Sequence, residues 1–185
     1  AETKAKAHEK LDSFCVKVGY PDKWKDYSGL TVDASKSLFE NVVAANEFSY
    51  RDNIKRKFGK PVTHDEWGMT PQTVNASYSS AANQITFPAG ILQYPFFDMN
   101  ADDALNYGAI GVVIGHEMTH GFDNSGRQYD KDGNLIDWWT EEDAKLFDEH
   151  SKVLVDFFDK IEILPGLHAN GELTLGENRS DHGGM

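Results

Sequence analysis

The chain has 185 residues, 39% of them hydrophobic and 26% charged, with a formal net charge of −12. That length carries a real core in one domain, and the balance is that of an ordinary soluble globular protein. So acidic a chain repels phosphate backbones, which excludes nucleic acid as a partner, and no apolar run reaches the roughly 20 residues that span a bilayer.

The N-terminus "AETKAKAHEK" is polar and lacks the apolar segment of a secretory signal. Cys15 is the single cysteine, so no internal disulfide forms and the redox compartment stays open. Residues 2–18 read as a helix with Gly19 as its stop. A long helix is expected from about Ala34 to Phe58, capped by Asp33 or Ser35 and ended by "GKP". Thr63 and Glu66 in "THDEW" have the spacing of a capping box.

Val74–Tyr78 and Gln84–Phe87 flank "SSAAN" and read as a β-hairpin, with Pro88 holding the second strand at an edge or ending it. From Asp102 or Asp103 a helix is expected to about His120. Gly108, Gly111 and Gly115 lie near one of its faces, each costing about 1 kcal/mol of helix propensity against Ala, which suggests that another backbone packs closely there. "DKDGN" holds an Asp-Gly turn; its acidic spacing resembles a calcium loop, but Gly133 is in the wrong register for an EF-hand.

Thr140 with Asp143 starts an amphipathic helix. Leu146, Phe147, Val153, Leu154, Phe157, Phe158 and Ile161 recur along it at three- and four-residue spacing, a core stripe. "LPGLHANGELTLGEN" reads as a loop leading into a short last helix near Glu177. Helices dominate, so the fold class is α+β, predominantly helical.

The stretch "VVIGHEMTHGFD" carries the chemistry. Positions four apart share a helix face, so His116 and His120 aim two imidazoles at one point. Glu117 projects about 100° further round, within reach of the same pocket without being a ligand. Imidazole suits zinc, and a nearby carboxylate takes a proton from water activated there. Catalytic zinc needs a third protein ligand. The pattern H-E-x-x-H-x-x-G-x-x-H does not supply it, because Asp123 and Gly126 stand at its last two fixed positions. Further on, "GENRSDHGG" offers Glu177 as the third ligand. Asp181, one turn later, can accept the free N–H of a ligating imidazole. The bland readings are two histidines in a core or on a surface, and an acidic helix start in which Thr174 and Glu177 form a capping box. His182 is offset by five from Glu177 and reads as outer or surface. His8, His64, His150 and His168 have no partner pattern.

"VNASYSSAANQITFPAGILQYPFF", "NYGAIGVVIGHEMTHGFDNSGRQYDKDGNLIDWWT" and "LHANGELTLGENRSDHGG" resemble the neprilysin and endothelin-converting-enzyme family of zinc peptidases, which are gluzincins. The match is dense from about Glu66 to Gly184, and the single cysteine is similar to bacterial members. The resemblance implies a thermolysin-like catalytic lobe with a small edge-strand hairpin, and a zinc-dependent endopeptidase acting by Glu-assisted attack of zinc-bound water on extended oligopeptides. It implies one Zn²⁺ held by His116, His120 and Glu177, with Glu117 as general base and Asp181 as the carboxylate orienting a ligand histidine. It places the substrate-binding Asn75 and Ala76 on a strand beside the cleft, where free backbone groups pair with a peptide.

It also implies that residues 1–185 are part of one catalytic domain. An N-terminal cap and a C-terminal segment, carrying an oxyanion-stabilising histidine and a carboxylate-binding arginine, lie outside these residues and are partners of this piece. The family habit is extracytoplasmic, periplasmic or at the cell surface. Ser77 departs from the usual aromatic residue, and Arg179 and Ser180 from the usual apolar residue and alanine. A charged Arg179 is expected to perturb the packing behind it, and the N-x-S sequons at Asn75 and Asn178 read as accidental. The alternative is a non-catalytic, zinc-stabilised interaction module.

Overall fold

A computed structural model describes all residues, 1–185, and resolves two compact units: Ala1–Tyr20 with Trp67–Met185, and Pro21–Glu66.

In the first unit, helix α1 spans Glu2–Asp12 and strand β1 spans Cys15–Gly19. The single helix expected over 2–18 is therefore cut at Asp12. The cause lies in "CVKVG": the β-branched Val16 and Val18 alternate and lose rotamer freedom in a helix. The strand instead finds a ladder, pairing in parallel with β3 from Cys15↔Gln84 to Gly19↔Pro88. Gly19 closes that strand at φ +88° rather than a helix.

Strands β2 (Ser77–Ser79) and β3 (Gln84–Pro88) form the expected hairpin, and the sheet order is β1-β3-β2. The central β3 is buried at every position and ends at Pro88. The first strand begins at Ser77, not Val74. Extending the Ser77↔Thr86 register would set Asn75 opposite Pro88, which has no N–H to give. Ala76, Ile85, Phe87, Ile91 and Ile110 form the buried core, with Phe14, Phe96, Phe97, Val113 and Met118 packed around them.

The helix expected from Asp102 to His120 is two helices, α3 (Asp103–Gly108) and α4 (Ile110–His120), broken at Ala109 with φ −113° and ψ −90°. Asp102 caps α3 through the Ala104 N–H. The break is held from outside. The Ile110 N–H donates to the Phe96 carbonyl at 2.9 Å, and the Asn106 amide donates to the Asp98 carbonyl at 2.8 Å.

Helix α5 spans Glu141–Phe158 and begins as expected, with the Thr140 hydroxyl accepting the Asp143 N–H. Its stripe is not the core that was expected. Phe147 is buried, but Leu146, Val153, Phe157 and Ile161 are exposed. No element of this chain folds over that face. The expected loop, which begins at Leu164, opens instead with the turn and second strand of a hairpin, β4 (Glu162–Leu164) with β5 (Leu167–His168), turned at Gly166 with φ +77°. The Asp-Gly turn is present: Asp130 accepts the N–H groups of Asp132 and Asn134, both at 2.9 Å.

Helix α6 spans Leu175–Gly184 and packs against α4. A Cβ on Gly115 would lie 2.8 Å from the Gly184 Cα, and one on Gly184 would lie 2.4 Å from the Val112 carbonyl oxygen. The close backbone approach expected of the three-glycine face is thus made at Gly115. Gly108 faces open space, and Gly111 meets only residues 106 and 107 of the turn before it.

In the second unit, helix α2 spans Leu38–Lys57. Its cap is Ser37 in a full capping box with Glu40, not Asp33 or Ser35. Those two form a turn of their own, with the Asp33 carboxylate accepting the Ser35 N–H at 2.9 Å. Thr63 and Glu66 cap nothing, because Gly68 and Pro71 leave no room for a helix to follow. The Glu66 carboxylate pairs instead with Arg56 and with Lys57.

Candidate metal centre

Two helices build the centre. Helix α4 presents His116 and His120 one turn apart, and α6, seated on it at the glycine crossing, brings in Glu177 and Asp181. Nε2 of His116 and Nε2 of His120 are 2.9 Å apart. Oε2 of Glu177 lies 3.4 Å from the first and 3.5 Å from the second. Ligand atoms bound at 2.0–2.1 Å to one tetrahedral ion stand about 3.3 Å apart, so this triangle has nearly the size that zinc requires.

The hydrogen bonds behind the rings decide their tautomers. Nδ1 of His116 is 2.8 Å from Asp181 Oδ1, and Nδ1 of His120 is 2.7 Å from Asp123 Oδ2. An ionised carboxylate only accepts, so each Nδ1 carries a proton, and in the neutral ring Nε2 is left with a lone pair. With both rings in that tautomer, two imidazole nitrogens and a carboxylate oxygen aim three acceptors at one point. A cation satisfies that arrangement, and the His₂-carboxylate donor set suits zinc.

The sequence pattern does not single out Asp123 as a functional residue; there it only rules out a longer zinc motif. It is buried, and its other oxygen accepts the N–H groups of Ser125 at 2.8 Å and Gly126 at 2.6 Å. Burial pushes its pKa up, but the bonds from His120, Gly126 and Ser125 outweigh this and hold it below the usual carboxylate range. In turn the bond to Asp123 holds His120 above the ordinary imidazole value. The available signal was its position three residues after His120. Ser180, likewise not singled out, is fully buried with Oγ 3.0 Å from His120 Nδ1, so it stands beside the same proton.

Glu117 is 5% exposed and its Oε2 has no hydrogen-bond partner. The backbone N–H of Tyr78 on β2 donates to this carboxylate. Burial is the largest influence and raises its pKa, against the two histidines, which lower it. A carboxylate so held, with one oxygen unengaged, is placed to take up a proton.

Asn75 and Ala76 precede the edge strand rather than lying on it, which corrects the sequence expectation. Asn75 is exposed, while the Ala76 side chain belongs to the core. The edge itself is β2, Ser77–Ser79. His182, His8, His64, His150 and His168 are all exposed. Arg179 does not disrupt what lies behind it. Its guanidinium stacks 3.6 Å from the Phe147 ring centre and donates to Ser151 Oγ at 2.6 Å, tying α6 to α5.

No helix is long and apolar enough to cross a membrane. Residues 75–185 match Peptidase family M13. Neprilysin of Homo sapiens is 44% identical over 195 residues, covering 100% of this chain and 26% of that relative. An endothelin-converting enzyme homolog of Locusta migratoria is 42% identical over 192 residues, with the same two coverages, 100% and 26%. The chain thus spans about a quarter of the length of these curated relatives. Among solved structures, the inhibitor-bound zinc metalloprotease Zmp1 of Mycobacterium tuberculosis superposes with a TM-score of 0.92 at 48% identity, over 99% of this chain and 28% of that one. PepO from Lactobacillus rhamnosis HN001 gives a TM-score of 0.90 at 39% identity, over 100% of this chain and 29% of that one. These likenesses bear out the predominantly helical peptidase-lobe fold. The family match, residues 75–185, takes in the edge strand and both helices of the candidate metal centre, and the chain belongs to peptidase family M13, the neprilysin and endothelin-converting-enzyme family.

Proposed function

We propose that the protein carrying this chain is a zinc-dependent endopeptidase that cleaves extended oligopeptides, with His116, His120 and Glu177 as its metal ligands. The observation that supports this most is the triangle of two Nε2 atoms and one carboxylate oxygen beside a buried, half-partnered Glu117. A zinc ion held there supplies Lewis acidity towards a carbonyl oxygen and acidifies water. Glu117 is the general base: its free oxygen takes the proton of the attacking water and returns it to the leaving amine. Asp181 and Asp123 keep the two imidazoles in the tautomer that turns Nε2 outward. The short β2 edge pairs with the backbone of an extended peptide, and the exposed Asn75 amide adds a bond at its end.

In this reading residues 1–185 form part of one catalytic domain, the remainder of the same enzyme completes it, and its setting is extracytoplasmic. The test is metal content together with cleavage. The purified protein carries one zinc per chain, and removal by a chelator abolishes peptide hydrolysis until zinc is restored. Zinc bound without any cleavage would favour the non-catalytic, zinc-stabilised module instead. Asp181→Ala is expected to weaken zinc by about 10–100-fold, the usual cost of losing the partner of a ligand histidine, measured by competition with a chromophoric chelator. Unchanged affinity would remove Asp181 from this role.

A further inference from the structure

Lys10 lies far from the metal motif in sequence, yet it is among the most enclosed side chains of the molecule at 1% exposure. A buried ammonium is costly unless every proton finds an acceptor. Here all three do: Nζ donates at 2.7 Å to the carbonyl oxygens of Gly121, Gly126 and Tyr129. The rings of Tyr78, Phe122 and Trp138 surround it, with centres 5.6 to 6.0 Å away. These carbonyls are not scattered. Gly121 ends the ligand helix α4, and 121–129 is the segment that turns Asp123 back onto His120. Within it the Asp123 carboxylate is gripped by the Ser125 and Gly126 N–H groups, so a shift of Gly126 moves the carboxylate.

We infer that Lys10 is a positioning residue of the metal centre, holding the 121–129 segment so that Asp123 meets His120 Nδ1 and His120 Nε2 faces the ligand point. This rests on the reading of His120 as a metal ligand. The ammonium acts through its three hydrogen bonds, which set the path of the segment. The Asp123 carboxylate, held in that path, orients the His120 ring with Nδ1 towards itself and Nε2 outward.

The experiment compares Lys10→Met with Thr3→Val in the full chain as it exists. Thr3 is also buried on α1, but its hydrogen bonds go to Thr140 at the head of α5 and not to the carbonyls of the 121–129 segment. Both variants lose stability to urea. Only Lys10→Met weakens zinc among folded molecules, by about tenfold, the low end for an outer partner of a ligand. Only Lys10→Met alters the visible absorption of the Co²⁺-substituted protein, which reports the ligand field. If Lys10→Met does not fold, Lys10→Gln, which retains two N–H donors, takes its place and shows the same altered Co²⁺ spectrum. Wild-type zinc affinity and Co²⁺ spectrum in a folded Lys10 variant would overturn the inference. So would an equal loss of affinity in Thr3→Val. A wild-type protein that binds neither metal would instead defeat the underlying assignment of His120, so the two failures are distinguishable.

Discussion

Glu117→Gln will lose peptide hydrolysis by about 10²–10⁴-fold, the usual worth of a general base, while zinc stays bound. Gln has the shape of Glu and keeps an oxygen for the Tyr78 N–H, so the pocket is unchanged. What disappears is the basicity of the oxygen that has no partner in the fold. The substitution also removes a buried charge, whose burial is the main force raising the pKa of Glu117. The chelator-treated variant is therefore at least as stable as wild type. Peptide turnover, zinc content and thermal midpoint together check this. A variant that turns over peptide at the wild-type rate would falsify the base assignment, and one that loses zinc would show Glu117 to be a ligand.

Glu177→Ala will lose zinc more severely than Asp181→Ala, because it removes a ligand atom rather than the support of one. The side chain of Glu177 is 71% exposed, and the ring nitrogens beside its carboxylate are the two imidazole Nε2 atoms. In the apo fold it adds only an acidic group in the first turn of α6, worth at most about 1 kcal/mol, so chelated wild type and chelated variant should unfold at nearly the same temperature. The difference is expected on adding zinc. Wild type gains stability as the ion binds, by about 2.7 kcal/mol at a hundred times its dissociation constant, while the variant gains little at the same concentration. Thermal unfolding with and without zinc measures this directly. An equal zinc-induced rise in both proteins would remove Glu177 from the ligand set.

Where sequence pattern and structure agree, the signal is local and periodic. Two histidines one helical turn apart need only a helix to meet, and Thr140 with Asp143 needs only its own backbone to cap α5. Where they differ, a distant partner decides. "CVKVG" is compatible with the end of a helix until β3 offers a parallel ladder. The α3–α4 break depends on the Phe96 carbonyl, which no pattern within 102–120 reveals. The stripe on α5 has core periodicity, but periodicity states only that a face is apolar, not what covers it.

The same division runs through the candidate site. His116, Glu117, His120, Glu177 and Asp181 are set by spacing along two helices, and the sequence by itself carried them together with the family resemblance. That Glu177 stands 3.4 Å from His116 is a tertiary fact, produced by the crossing of Gly115 and Gly184. Asp123 leaves a local trace, three residues after His120, whereas Ser180 and Lys10 become visible only in three dimensions. Their roles come from hydrogen bonds between segments as much as 119 residues apart, and such bonds follow the path of the folded chain rather than any repeat within it.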